Sequence, residues 1–251
     1  MAVRPPDPDR FFLGPQRELA RAVAAADLAA VRALAPATDL DTPGAEDMTL
    51  LAFAMHRASG LEPERLQIVT ELVRAGADVH RVVPGLSSAL DLALLAKGPE
   101  LLRAMLDGGV SPDARVGRGH TPALFRAAAE PTAANMRLLL DRGADVNARD
   151  SLGTPAITYA LRALQLDQVD QLLDRGADPG AVHRLGQSFA HVLSELMARQ
   201  LPGSPALLRM AALRDRIARA GVAWPPAPPE VERERMRQRG EEPIVPVGHA
   251  R

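Results

Sequence analysis

Apolar positions along this chain return in one short pattern. Seven, four and three residues before Gly76 stand Val69, Leu72 and Val73, and before Gly109 stand Leu102, Met105 and Leu106. Met136, Leu139 and Leu140 precede Gly143 in the same way, and Val169, Leu172 and Leu173 precede Gly176. Spacings of three and four put each trio on one face of a helix. Each glycine then falls where a helix end takes a left-handed residue, a conformation cheap only for Gly. The positions of these four glycines step by 33, 34 and 33. A second marker keeps the same period: the hydroxyl residues Thr49, Ser88, Thr121, Thr154 and Ser188, whose last three intervals are 33, 33 and 34. Such side chains cap helix N-termini, and Pro122 and Pro155 suit the first helical position, where a missing N–H costs nothing. The polar stretches between glycine and hydroxyl, such as Asp150 to Gly153, carry turn chemistry and predict tight hairpin fingers.

Two markers in one register define a repeat of helix, turn, helix and finger. The pattern resembles the ankyrin repeat. Thr121-Pro122-Ala123-Leu124, Thr154-Pro155-Ala156-Ile157 and Ser188-Phe189-Ala190-His191 are its helix starts, and Gly76-Ala77-Asp78-Val79, Gly143-Ala144-Asp145-Val146 and Gly176-Ala177-Asp178-Pro179 its helix ends. The resemblance covers roughly residues 16 to 223. It implies an all-α fold: an ankyrin-repeat solenoid of stacked helix-turn-helix units with hairpin fingers, about six repeats including divergent caps. The expected division is 1–15 as an extended N-terminal segment, 16–224 as the ankyrin-repeat domain, and 225–251 as a Pro-rich linker, charged short helix and flexible tail.

The departures are as informative as the matches. The first repeat reads as helices over 16–25 and 28–35, stopped by Pro36 where later repeats use Gly. Terminal repeats are expected to be atypical, since one side lacks a neighbour. Phe11 and Phe12 could engage a partner, but docking on this first repeat is favoured because exposed Phe pairs are disfavoured. The second repeat is long: the step from Thr49 to Gly76 is 27, against 22 from Thr121 to Gly143. The sixth is longer still, with a step of 33 from Ser188 to Gly221, an insertion at 199–205 and a closing helix over 207–220. The step from Gly143 to Thr154 is 11 where the other fingers take 12, which predicts a tighter finger there. Residues 230–239 read as a charged helix suited to solvent, in which Val231 and Met236 offer little apolar face.

Composition narrows the chemistry. Of 251 residues 47% are hydrophobic and only 3% aromatic, so the core must be built from Leu, Ala, Val and Met. That suits close-packed small helices better than a sandwich or barrel. A formal net charge of −1 gives no electrostatic case for nucleic acid. The absence of cysteine excludes disulfides, thiolate metal sites and a Cys nucleophile. No apolar run is long enough to span a membrane and no signal-peptide core is present, so the expected location is cytoplasmic, or periplasmic if a leader has been removed. The Arg, Ala and Pro bias, with Lys97 the one lysine, reads as the codon bias of a GC-rich bacterial genome.

No catalytic constellation stands out. The histidines His56, His80, His120, His183, His191 and His249 make no pair at helical zinc spacing. His191 stands at the family's final helix-start position, where the resemblance implies that its ring supports the turn. Asp78, Asp145 and Asp178 read as turn formers rather than metal ligands. Gly117-Arg118-Gly119-His120 is a fingertip and not a phosphate loop, because no strand precedes it and no Gly-Lys-Ser/Thr follows. No cofactor and no enzymatic activity are expected; a site in the long sixth repeat is the weaker enzymatic alternative.

The resemblance implies protein binding through fingertips and the exposed face of the first helices. Carried over by position, the fingertip set is Arg81, Arg115, Arg118, His120, Arg149, Ser151, Leu152, His183 and Arg184. The helix-face set is His56, Arg57, Leu95, Ala96, Leu161, Arg162, Glu195 and Leu196. These arginines fit a protein partner with an acidic patch, and they equally fit plain solvation of loops. The expectation is a monomeric, non-catalytic adaptor or inhibitor. A narrower alternative is an immunity protein that neutralises a secreted antibacterial toxin.

Overall fold

The computed structural model describes residues 7–83, 87–117, 119–131 and 133–246. Arg118, residues 84–86 of the second finger, the first residues of the N-terminal segment and the end of the expected tail, with His249, lie outside this description. The chain divides into two compact units, 1–117 and 118–251, and the division after Gly117 falls inside the span 16–224 expected as the repeat domain.

In the first unit a short helix α1 (Pro8–Phe11) precedes α2 (Gly14–Ala25), α3 (Leu28–Leu34), α4 (Leu50–Arg57), α5 (Pro63–Arg74), α6 (Ala89–Leu95) and α7 (Glu100–Asp107). The pairs α2–α3, α4–α5 and α6–α7 pack internally, α4 packs on both α2 and α6, and α5 packs on both α3 and α7. First helices therefore form one layer and second helices the other. The second unit repeats this with α8 (Ala123–Ala129), α9 (Ala134–Asp141), α10 (Ala156–Arg162), α11 (Leu166–Asp174), α12 (Phe189–Ala198) and α13 (Pro205–Arg219). There α10 packs between α8 and α12, and α13 packs on α11 and α12. A further helix, α14 (Pro229–Gln238), follows.

The segment expected to be extended at 1–15 is not extended where it is described. Asp7 caps α1 by accepting the Asp9 N–H, and Pro8 opens the helix. This turn delivers Phe11 and Phe12 to the first repeat, where both are buried and Phe12 meets Phe53 edge-on at 5.6 Å between ring centroids. The favoured docking is what the structure shows.

All four periodic glycines are left-handed, with φ of 104°, 110°, 88° and 88° at Gly76, Gly109, Gly143 and Gly176. At each, the following residue donates back across the turn: Ala77 to the Leu72 carbonyl, Val110 to Met105, Ala144 to Leu139 and Ala177 to Leu172, at 2.9–3.1 Å. This is the Schellman closure, which satisfies carbonyls the helix leaves over. The predicted aspartates then shape the fingers. Asp78, Asp145 and Asp178 accept the N–H two residues on, from His80, Asn147 and Gly180. Neighbouring fingers are stitched in the same place: the Asp78 N–H donates to Asp41, and the Asp178 N–H to the Asn147 side chain.

The capping residues split into two groups. Thr49, Ser88 and Ser188 cap as predicted, accepting the N–H of Ala52, Asp91 and His191 at 3.1 Å. Thr121 and Thr154 do not: α8 and α10 begin one residue later, with Pro122 and Pro155 at the cap position and no side-chain cap bond. The reason at Thr154 is Asp150. Its carboxylate accepts the Thr154 N–H at 2.8 Å, and its own N–H donates to the Thr154 carbonyl at 3.1 Å. Thr154 is thereby held inside the finger. The backbone bridge closing this finger joins Arg149 to Pro155, as Val82 joins Ser88 and Val182 joins Ser188. Pro155, not Thr154, is the equivalent of Ser88 and Ser188. Counted to Pro155, the step from Gly143 is again 12, and the predicted tightening is absent. His191 also differs from its implied role, since its ring lies along α12 with Nε2 3.4 Å from Glu195.

The stack makes two stability predictions. Leu139 and Leu172 are fully enclosed, so Leu139→Ala or Leu172→Ala should each lower unfolding free energy by about 2–5 kcal/mol in denaturant titration. A Cβ added to Gly143 would meet nothing within 4 Å. Gly143→Ala should therefore cost only the left-handed backbone penalty, about 1–2 kcal/mol, and a β-branched residue more.

Candidate partner-binding surfaces

In the first unit the short side chains of the first helices leave a groove between α4 and α6. Ala52, Met55, Ala89, Leu92 and Ala96 line its apolar part, and it encloses about 430 Å³. His56, Asp78, Arg81, Lys97 and Glu100 surround it. Three residues of the expected surface, His56, Arg81 and Ala96, are thus brought to one site. Lys97, Asp78 and Leu92 were missed, and the signal available for them was the finger and helix-start register that already placed their neighbours. The rim carries both signs. Leu95 is exposed nearby. Arg57, expected on the same face, instead turns into the stack and donates Nη2 to the Ala24 carbonyl at 2.7 Å. Burial, and then the neighbouring Arg65, lowers its pKa from the ordinary arginine value. It is a tie between two repeats. Arg115 is exposed on its finger.

In the second unit the expected residues are close together but largely engaged. Arg149 Nη1 donates to the Gly153 carbonyl of its own finger at 2.9 Å and to the Val182 carbonyl of the next at 3.3 Å. Arg162 donates to the Gln187 side chain at 3.0 Å. The same Gln187 oxygen lies 3.2 Å from His183 Nε2, while His183 Nδ1 accepts the Leu185 N–H at 3.1 Å. Nδ1 is thus the acceptor and Nε2 carries the proton. His183, expected as an exposed fingertip, is buried at 3% exposure. Burial first of all, with the Gln187 bond opposing it, holds its pKa below the usual histidine range. Leu161 is likewise corrected from exposed to fully buried. Leu152, Ser151 and His120 are exposed as expected, as is Glu195, whereas Leu196 and Ala96 are half-buried.

Asp150 organises this finger. One carboxylate oxygen accepts the N–H groups of Leu152 and Thr154, and the other accepts the Tyr159 hydroxyl at 2.8 Å. Finger and helix α10 are locked together by it. Burial, reinforced by the Asp150 carboxylate, pushes the Tyr159 pKa up to about 12.

Arg184 lies in the last finger. Its N–H donates to the Leu152 carbonyl at 2.7 Å, tying it to the preceding finger. Its carbonyl accepts the Ile244 N–H at 2.7 Å, and its Nε lies 3.3 Å from the Glu242 carbonyl. The region expected to be a solvent helix and flexible tail is, through residue 246, folded back on this finger. Met236, expected to offer little, is buried at 4% exposure. Among the described residues no three His, Asp or Glu side chains converge as a metal site, and no helix is long and apolar enough to cross a membrane.

Comparison with known proteins places these features. No family model matches the chain. It is similar to Neurogenic locus notch homolog protein 1 of Danio rerio, 26% identical over 162 residues that cover 61% of this chain and 7% of that protein. It is also similar to Protein PhlB of Serratia liquefaciens, 34% identical over 111 residues that cover 44% of this chain and 48% of that protein. The match thus spans under a tenth of the first relative and about half of the second. Among solved structures, the ankyrin repeat domain of Bcl-3, described as a member of the IkappaB protein family, superposes with a TM-score of 0.56 at 26% identity, covering 79% of this chain and 85% of that one. The ankyrin repeat protein EF0377 superposes at 0.54 and 22% identity, covering 78% and 96%.

The raised Tyr159 pKa has a directly readable consequence. The folded value lies above the unfolded one, so the stabilisation is complete below about pH 10 and is lost as pH rises towards about 12. The chain has one tyrosine, so tyrosinate absorbance reports this group alone. Its midpoint should lie near pH 12, and Asp150→Asn should move it down. A midpoint at the ordinary tyrosine value in the native protein would show that Tyr159 is neither buried nor bonded to Asp150.

Proposed function

The chain is an ankyrin-repeat protein, and from that premise we propose that it is a non-catalytic protein-interaction module, an adaptor or inhibitor that holds a protein partner in the groove of its first unit. The observation that carries this reading is the groove itself: an apolar floor of Ala52, Met55, Ala89 and Leu92 inside a charged rim. Concave apolar pockets with a few polar groups around them are where proteins take ligands. A groove of this size fits one or two aliphatic or aromatic side chains of a partner. The rim then sets their orientation. Arg81 and Lys97 on that rim suit a partner's carboxylates, and Glu100 suits its cations. Charge of both signs favours a partner of mixed character over one recognised by an acidic patch alone. The arginines of the second unit support that preference, since Arg149 and Arg162 already donate within the unit.

The test places a photo-reactive residue at Ala52 in the full chain and follows adducts with partner candidates from the source organism. Leu92→Arg should abolish the adduct while leaving the melting temperature within a few degrees, because Leu92 is only half-buried. Arg162→Ala, in the other unit, should leave the adduct intact. Adducts that survive Leu92→Arg would remove the groove from the binding surface.

A further inference from the structure

Helix α14 and the extended residues after it form an arm, 229–246, whose contacts with the last finger follow a rule. Three of the arm's arginines pair with glutamates of the arm itself, Arg235 with Glu232, Arg237 with Glu234 and Arg239 with Glu241, and a fourth, Arg233, reaches the finger. The bonds that join arm to finger use backbone carbonyls and one backbone N–H. Arg233 Nη1 donates to the Leu185 carbonyl at 2.9 Å, Ile244 N–H donates to the Arg184 carbonyl at 2.7 Å, and Arg184 Nε reaches the Glu242 carbonyl. One apolar side chain, Met236, is the sole buried residue of α14. The close approach is built into the finger: a Cβ on Gly186 would collide with the Pro229 carbonyl oxygen.

The direction of the backbone bonds gives the site its meaning. Arg184 N–H donates to Leu152, and Ile244 N–H donates to Arg184. The arm thus bonds to the last finger as that finger bonds to the one before. It stands where the finger of one more repeat would stand. Yet it is not packed as a repeat. A cavity of about 900 Å³ remains between arm and finger, lined by Arg149, Ala181, Val182, Val222, Pro225 and Met236 among others.

We propose that the finger at 181–187 is a docking site for a protein segment built as a short helix followed by extended backbone, filled in this chain by its own arm and open to exchange. The segment it accepts carries one unbranched apolar side chain on a charged helical turn, followed about eight residues later by extended backbone with a free N–H. The finger offers main-chain carbonyls to one arginine and one backbone N–H of the segment, beside one apolar anchor, so it selects a pattern rather than a sequence. It lies wholly in the second unit and is separate from the groove that carries the proposed function.

The probe is a fluorescein-labelled peptide with the sequence of residues 226–246. The protein is the full chain, wild type or carrying Met236→Asp and Ile244→Pro. The first substitution removes the anchor and the second removes the N–H donor. Both lie in the arm, and circular dichroism checks that the array stays helical. By anisotropy the peptide should bind the double variant saturably. It should bind wild type at least tenfold more weakly, because the tethered arm competes at high effective concentration. A peptide carrying Asp in place of its methionine should not bind. In wild type, hydrogen exchange at Ile244 should quicken when unlabelled peptide is added in excess. Equal binding to both proteins, or binding to neither, overturns the proposal, and so does an Ile244 amide unaffected by excess peptide. None of these readouts needs the groove's partner, so the two ideas fail separately.

Discussion

A helix that stops must find donors for its last carbonyls, and a finger that projects must find partners for backbone groups that no helix serves. That requirement shapes both units. The left-handed glycine turns the chain so that the next residue donates back across the helix end. The aspartate two residues later folds the finger base through its own carboxylate. The finger then ties to its neighbour through Asp41 and Asp78, Asn147 and Asp178, or Arg149 and Val182. Burial of the apolar helix faces supplies the driving force. The corner chemistry decides where those faces meet.

What is legible in the sequence is what is local. Glycine period, helix faces, the aspartate turns and three of five caps follow from residues within a few positions of one another. Thr154 departs from its expected role because that role is set by competition. It has the chemistry of a cap, but Asp150 takes both its N–H and its carbonyl. Composition cannot reveal which of two local partners wins. His183 and Leu161 depart for a different reason. Ring burial at His183 depends on Gln187 and on the finger packing around it, and Leu161 sits under neighbouring helices. The arm is the largest omission. A helix of Glu and Arg with a single Met looks solvated when read alone. Only its return to Arg184, far back along the chain, shows why that Met and Gly186 are there.

The two candidate surfaces differ in kind. The groove of the first unit is a depression left by small side chains, with a rim able to orient an occupant. The arginine-rich fingers of the second unit look, by composition, like the better binding face. Their donors are instead directed at carbonyls and amides of the same unit. Arginine suits this work because its planar fork can reach two acceptors on adjacent loops. A charge count over fingertips therefore says little until each guanidinium has been traced to its acceptors.

The bond from Arg184 to Leu152 has a polarity: the later finger gives an N–H to the one before it and offers a carbonyl to whatever follows. Such a head-to-tail contact has no natural end. Between separate molecules, contacts of that polarity build rings when the rotation closes and filaments when it does not. The arm's Ile244 takes the outermost carbonyl and so terminates the ladder from within. Residues 229–246 thus leave that carbonyl already paired within the molecule, in the way that covering an exposed backbone edge keeps it from pairing elsewhere.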